Sequence, residues 1–443
     1  MNRAFRDPVR LIPLLFAGAI AIGTLALMLP FAAASGEPAP LLTALFTATS
    51  AVAVTGLVTV DTGTYWSGFG QGAILVMFQI GGFGIMAAAT LLGMIAGRGF
   101  GLRDRMATQV EREGLRLAST ASLLKLILAI TVTVEVLLAA ILAFRFATSW
   151  NMAPLGAAWH GLFHAVSAFN NAGFSTFSDS VMGFQNDAVI LVPIALAVVV
   201  SALGFPVMED WREHGRDWRH WTLHSKMTLA GTVLLLLAGF LATLVMEWNN
   251  PGTLGPMSVG SKLLNAGFHS VMPRTAGFNS LDMGAYREET LIVNYVLMFI
   301  GGGSAGTAGG IKITTFMVLL AIVLAEVLRR RDAGMFGRRF GHALERQALT
   351  VASIALLLVL CATMFITSMT RLPLQDVLFE TISAFATVGL STGITAQLPP
   401  SALLVLVVLM FVGRVGTITA ATALALGGSD RPYRYPEENP IVG

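Results

Sequence analysis

The unusual chemistry of the chain is concentrated in a few short stretches. Residues 301–312, GGGSAGTAGGIK, carry glycine at six of twelve positions and end in Lys312, directly after the apolar run LIVNYVLMFI. Gly301, Gly303 and Gly306 satisfy G-x-G-x-x-G, the pattern of a dinucleotide-binding turn, with Glu326 roughly 20 residues on where a ribose-binding acid would stand. That reading requires a soluble βαβ unit, whereas Glu326 lies in TTFMVLLAIVLAEVL, which is too continuously apolar for one. Lys312 follows Ile311 and not a glycine, so the phosphate loop of nucleotide triphosphatases fails as well. His160 and His164 have the i, i+4 spacing of metal ligands but lack a third ligand, and they read as packing or hydrogen-bonding groups. Lys312 and Arg414 are cations inside apolar runs, where an ionisable group is a functional site by default. For Arg414 the structural alternative is an ion pair with Glu380 or Glu135. The candidates for acid, base or ligand roles, Glu135, His160, His164 and Glu380, are scattered, so no enzyme site converges and no enzyme is expected.

The elements that hold these residues are set by composition. Of 443 residues, 55% are hydrophobic and 12% charged, against about 25% charged in soluble domains. Mean hydropathy is +0.73. Apolar runs near the roughly 20 residues needed to cross a bilayer recur over 11–30, 71–96, 121–144, 188–207, 227–246, 291–328, 347–369 and 401–426. The first, after Arg3, Arg6 and Arg10, is too long for a signal peptide's apolar core and reads as a retained helix. The single cysteine, Cys361, excludes an internal disulfide and reads as a small core residue.

Between successive pairs of spans lie shorter semi-apolar stretches: LLTALFTATSAVAVTGL, HGLFHAVSAFNNAGF, LLNAGFHSVMPRTAGF and LFETISAFATVGL. Each holds about a dozen helical residues and closes on a glycine turn, at Gly56, Gly173, Gly277 and Gly389, separated by 117, 104 and 112 residues. Near-equal spacing predicts an internal fourfold repeat. The expected fold is an all-α polytopic membrane protein, each unit being a span, a re-entrant helix with its turn, and a second span, around one central pore. The units are 1–110, 111–220, 221–340 with an intramembrane loop at 301–312, and 341–443 with a C-terminal tail.

Charge gives the orientation. Nineteen of the 28 basic residues fall in the N-tail, the linkers between units and the C-tail, including Arg98, Arg103, Arg105, Arg112, Arg116, Arg329, Arg330, Arg331, Arg431 and Arg434. Five (Arg145, Lys262, Arg274, Arg287, Arg371) fall on the other side. The positive-inside rule puts linkers and both termini in the cytoplasm and the turns toward the outside, so the net charge of +3 needs no nucleic acid to explain it. Irregular backbone at membrane depth is tolerated where it lines a cavity. A ring of four such turns can replace the hydration shell of an alkali cation with carbonyl oxygens, and glycine lets the chain turn through φ > 0. The GGFG at 81–84 reads as a helix-packing site.

The turns AVTGL (53–57), NNAGF (170–174), RTAGF (274–278) and ATVGL (386–390) look like degenerate potassium-channel filters. Four unequal copies in one chain resemble the Trk/Ktr/HKT superfamily of potassium transporters over essentially the whole length. Only ten residues before the first span, and the ending YRYPEENPIVG, resemble KtrB-type membrane subunits. The resemblance implies a selectivity filter at Val54, Thr55, Gly56, Asn171, Ala172, Gly173, Thr275, Ala276, Gly277, Thr387, Val388 and Gly389, acting through main-chain carbonyls. Glycine at all four positions points to potassium, since plant relatives that prefer sodium carry serine at the first. The resemblance also implies a gate at Gly301, Gly302, Gly303, Ser304, Gly306, Thr307, Gly309, Gly310 and Lys312, with Arg414 below the filter. Six glycines are expected to make that loop mobile, with Ser304 and Thr307 satisfying freed backbone groups and Lys312 neutralising carbonyl ends or a glutamate. Further implications are a homodimer with one pore per protomer, a cytosolic nucleotide-binding regulatory ring (KtrA-like), potassium uptake that is often sodium-dependent, and a bacterial cell membrane as the location. A sodium-selective or non-selective cation channel of the same fold is the alternative. No covalent cofactor is expected.

Overall fold

The computed structural model describes residues 8–96 and 120–416. Arg3, Arg6, Arg98, Arg103, Arg105, Arg112, Arg116, Arg431, Arg434 and the YRYPEENPIVG ending lie outside the described residues. The protein is built from helices: α1 (Pro8–Leu27), α2 (Leu41–Val52), α3 (Thr62–Tyr65), α4 (Gly68–Ala96), α5 (Thr120–Ser149), α6 (Pro154–Phe169), α7 (Ala188–Leu203) and α8 (Phe205–His214) come first. They are followed by α9 (Leu223–Glu247), α10 (Val259–Val271), α11 (Glu288–Phe299), α12 (Ile313–Val327), α13 (His342–Met369), α14 (Leu374–Ala386) and α15 (Pro400–Phe411). A π-turn, Val412–Gly416, continues α15.

The outer helices show an apolar face to the exterior, as a chain dissolved in lipid requires. Ile22 on α1, Val136 on α5, Val245 on α9 and Met364 on α13 are all well exposed. Lys125–Ser149, Leu223–Glu247 and His342–Met369 are each long and apolar enough to cross a bilayer. Cys361 belongs to this outward surface: it is exposed on α13, not in the core, because α13 turns only one stripe inward.

The short helices α2, α6, α10 and α14 are the converse. In α2 every residue from Phe46 to Val52 is buried, including Thr47, Thr49 and Ser50, so the C-terminal half of the helix is enclosed on all sides. Each packs against the long helices on either side of it in sequence, except that α10 reaches α11 through a hydrogen bond between His269 and Asn294 (3.0 Å), and each also meets the second long helix of the preceding group: α4 against α6, α7 against α10, α11 against α14, and α15 back against α2. The last contact closes the circle. Small residues permit the approach. A Cβ on Gly81 of α4 would collide with the Val52 carbonyl, and one on Gly82 with the Asn170 side chain, whereas Gly84 of the same GGFG faces open space.

Two of the expected spans are interrupted. The stretch 188–207 ends at Leu203, where Gly204 (φ 85°) turns the chain by 88° into α8. The stretch 291–328 is two helices, α11 and α12, with residues 300–312 between them. Between α12 and α13 a two-residue hairpin, Gly334–Met335 with Arg338–Arg339, turns through Phe336 and Gly337, both at φ > 0, a small β-element in an otherwise helical chain.

Candidate functional site

The ends of the four short helices converge. Each is followed by two left-handed residues with one residue between them: Val54 (φ 56°) and Gly56 (90°), Asn171 (58°) and Gly173 (70°), Thr275 (69°) and Gly277 (74°), Thr387 (50°) and Gly389 (93°). Left-handed backbone at valine and threonine is strained locally, so the surrounding packing must impose it. The alternation rotates successive peptide planes along each segment.

The glycines are also where neighbouring segments touch. A Cβ on Gly173 would lie 2.9 Å from the Ala276 carbonyl oxygen, and one on Gly277 2.5 Å from the Val388 oxygen. One on Gly56 would strike the Ala172 oxygen, and one on Gly389 the Thr55 oxygen. Each glycine thus abuts the carbonyl just before the next glycine, and the sequence of contacts, first turn to second, third, fourth and first again, is a closed ring. The four carbonyl-bearing residues Thr55, Ala172, Ala276 and Val388 are buried, as are Gly56 and Gly277, while Gly173 and Gly389 are partly exposed.

Serines anchor three of the turns from behind, a signal that sequence reasoning missed. Ser50 accepts the Thr55 amide on its carbonyl (2.7 Å) and the Gly56 amide on its hydroxyl (3.0 Å). Ser383 does the same for Val388 (2.8 Å) and Gly389 (3.1 Å). Ser167 accepts from the Ala172 amide and donates its hydroxyl to the Phe174 carbonyl (2.8 Å). All three lie six residues ahead of their glycine, a register readable in the sequence. In the third turn Met272 supplies the carbonyl for both Ala276 and Gly277.

Residues 301–312 fold against one side of this ring. A Cβ on Gly309 would meet the Thr387 hydroxyl and, at 2.7 Å, the Ala386 carbonyl; Gly310 lies against Ala386 as well. The loop is tied to the α7–α8 bend by Gly303 N–H to the Ala202 carbonyl (2.8 Å) and Thr307 N–H to that of Ser201 (3.4 Å). It is closed on itself by Gly301 N–H to the Ile311 carbonyl (2.8 Å). Of its six glycines only Gly310 has positive φ (64°); the others sit where a Cβ would strike backbone or side chain. Their use here is close packing, and the loop is mostly buried. Ser304 pairs with the Thr314 hydroxyl (3.3 Å), while the Thr307 hydroxyl is buried without a partner, so neither caps freed backbone as its type led one to expect.

The two cations reach the loop. Arg414, buried in the π-turn, donates from Nη1 to the Thr307 carbonyl, and its Nε and Nη2 have no partner. It forms no ion pair among the described residues: Glu380 accepts from Ser391 and Thr395, and Glu135 from Gln79 and Asn170. Lys312 donates to the Ala308 carbonyl within the loop. Another buried cation was not singled out from the sequence as a site residue. Arg274, just before the third turn, donates to the Thr232 carbonyl of α9 (3.3 Å). His160 and His164 bond to Thr176 (2.6 Å) and Ser175 (2.9 Å) and stack on Phe177, and no group of three metal-ligating side chains occurs among the described residues.

A ring of buried glycine turns at the ends of short enclosed helices, in a chain whose outer helices face lipid, defines a membrane transport protein. The chain belongs to the TrkH family of cation transport proteins, whose family model matches residues 4–432. It is 38% identical over 424 residues to the Ktr system potassium uptake protein B of Bacillus subtilis, covering 96% of this chain and 94% of that one. It is 35% identical to the protein of that name in Vibrio alginolyticus, covering 98% and 94%. To the potassium/sodium uptake protein NtpJ of Enterococcus hirae it is 37% identical, covering 99% and 97%. The crystal structure of the potassium transporter TrkH from Vibrio parahaemolyticus superposes with a TM-score of 0.74 over 94% of this chain and 84% of that one, at 19% identity, and so shares the fold. These relatives are transport proteins and not enzymes.

Proposed function

We propose that the chain is a channel-like potassium uptake transporter of the cell membrane. Cations pass through the ring formed by Val54–Gly56, Asn171–Gly173, Thr275–Gly277 and Thr387–Gly389, coordinated by main-chain carbonyls. The four segments belong to four units, 1–110, 111–220, 221–340 and 341–443. The observation that carries this reading is the closed circuit of glycine-to-carbonyl contacts, which only segments aimed at one axis can make. The carbonyl ends of four enclosed helices add partial negative charge at the same place. A membrane potential contributes about 2.3 kcal/mol per charge per 100 mV, enough to drive uptake without nucleotide hydrolysis by this chain.

Residues 301–312 act as the gate, with Lys312 and Arg414 holding it closed. The reading is supported by the contact of Gly309 and Gly310 with Ala386 and Thr387 and by the Arg414 bond to Thr307. The protein works as a homodimer on a cytosolic nucleotide-binding ring of the KtrA type, with both termini in the cytoplasm of a bacterium and sodium as an activating ion. A relative named as a potassium/sodium uptake protein gives the second reading, a channel that passes both ions.

Uptake of potassium and sodium by proteoliposomes containing the purified chain tests both. Preference for potassium supports the first reading, and equal permeability supports the second. Deleting part of 303–309 is expected to raise flux, and unchanged flux removes the loop from the gate.

A further inference from the structure

The ring is fourfold in its turns but not in what stands behind them. Nine residues ahead of the glycine, on the short helix, the four units carry Thr47, His164, Phe268 and Glu380; two residues beyond it they carry Val58, Ser175, Asn279 and Ser391. In the second unit these positions are bonded: His164 Nδ1 donates to the His160 carbonyl (2.8 Å), which leaves Nε2 to accept from the Ser175 hydroxyl at 2.9 Å. In the fourth unit the same two positions are bonded again, Glu380 Oε1 accepting from the Ser391 hydroxyl and also from Thr395. His164 and Glu380 are both buried, and one carboxyl oxygen of Glu380 has no partner. In the first unit the Thr47 hydroxyl is buried and unpaired and Val58 offers nothing to it. In the third, Phe268 cannot hydrogen-bond, and the Asn279 amide is held by Ser180 of the second unit (3.2 Å).

In the closed order of contacts the second and fourth turns lie across the ring from one another. We propose that His164 and Glu380 are a diagonal pair of positioning residues that fix the outer flanks of these two turns, through Ser175 and Ser391, and thereby set how well the ring separates potassium from sodium. The inference rests on the ring being the ion filter. A strut behind a carbonyl segment resists its collapse onto a smaller ion, and a polar tether in a buried site has no water to replace it. The first and third turns, which have no side-chain tether between these two positions, carry less of the discrimination.

The test compares permeability ratios in proteoliposomes, with total rubidium flux measured in parallel. His164→Leu and Glu380→Leu are expected each to lower the potassium-to-sodium ratio about tenfold, while Glu380→Gln, which keeps an acceptor for Ser391, restores most of it. Ser391→Ala, which removes one hydroxyl and leaves packing intact, is expected to lower the ratio as well, and to add nothing in the Glu380→Leu background. Thr47→Val and Phe268→Leu are expected to stay within about twofold of the unsubstituted ratio. The inference is overturned if Ser175→Ala and Ser391→Ala proteins conduct with an unaltered ratio, or if Thr47→Val shifts it as far as Glu380→Leu. Equal passage of both ions by the unsubstituted chain overturns the potassium reading itself, and this inference with it.

Discussion

Replacing Arg414 by alanine separates the loop from the last span without touching the ring. Among the described residues the guanidinium makes a single hydrogen bond, to the Thr307 carbonyl, and both ends of it are buried. A hydrogen bond to a charged group contributes roughly 1.5–3 kcal/mol. If the loop is the gate proposed above, then at about 1.4 kcal/mol per factor of ten its loss shifts the open-to-closed ratio by about 10- to 150-fold. While the closed form dominates, flux rises by the same factor and then saturates. Arg414→Gln keeps an amide donor but removes the charge, and Arg414→Lys keeps the charge but loses the fork, so the three variants separate tether from field. Rubidium uptake at a clamped diffusion potential, normalised to reconstituted protein, is the assay. Alanine is expected to raise it at least about tenfold by the arithmetic above, with lysine and glutamine between. A monodisperse Arg414→Ala protein that takes up rubidium at the unsubstituted rate refutes the tether.

Three further outcomes follow from the geometry. Gly277→Ala places a Cβ 2.5 Å from the Val388 oxygen at a positive φ, and rubidium uptake is expected to fall at least about tenfold. Ser50→Ala leaves the buried Gly56 amide unpaired and Ser383→Ala the half-buried Gly389 amide, at a cost of up to about 1–3 kcal/mol, and the midpoint of thermal unfolding and the potassium-to-sodium ratio should both drop. Asp187 caps α7 outside the span. Burial alone would raise its pKa, but hydrogen bonds from Arg145 (2.8 Å) and Trp150 (3.0 Å), with the arginine's charge and the Val189 amide, hold it below the ordinary carboxylate value. A depressed folded pKa gives stability that is full above the unfolded value and is lost as pH falls through the folded one. The excess melting temperature of the unsubstituted protein over Asp187→Asn should therefore hold at neutral pH and shrink below about pH 4.

The glycines that end the short helices were legible because nothing else explains their near-equal spacing in apolar sequence. The left-handed residue two positions before each was not. Val54, Thr275 and Thr387 are poor residues for that conformation, and only the closed ring forces it on them. Glycine-rich composition in 301–310 marked a break in a helix, but freedom and close packing leave the same residue in the sequence. The choice between them lay in contacts with the α7–α8 bend and the fourth turn, made by residues about 80 to 100 positions away. Arg274 counted only toward the charge on the outer side because a cation beside a turn reads as surface until α9 is seen to cover it. Cys361 was placed in the core by a rule for soluble proteins, which a lipid-facing helix inverts.

The circuit of contacts in the ring has a direction. Each glycine leaves room for an oxygen of the unit that follows it, never of the one before, so crowding introduced in one quarter is passed to the next. A Cβ on Gly277 displaces the Val388 oxygen, which belongs to the fourth unit, and a Cβ on Gly389 displaces that of Thr55 in the first. The residue altered and the carbonyl oxygen moved are then covalently remote. Because the four quarters are one polypeptide, each can be altered alone, and the ion's response can be followed around the circle one oxygen at a time.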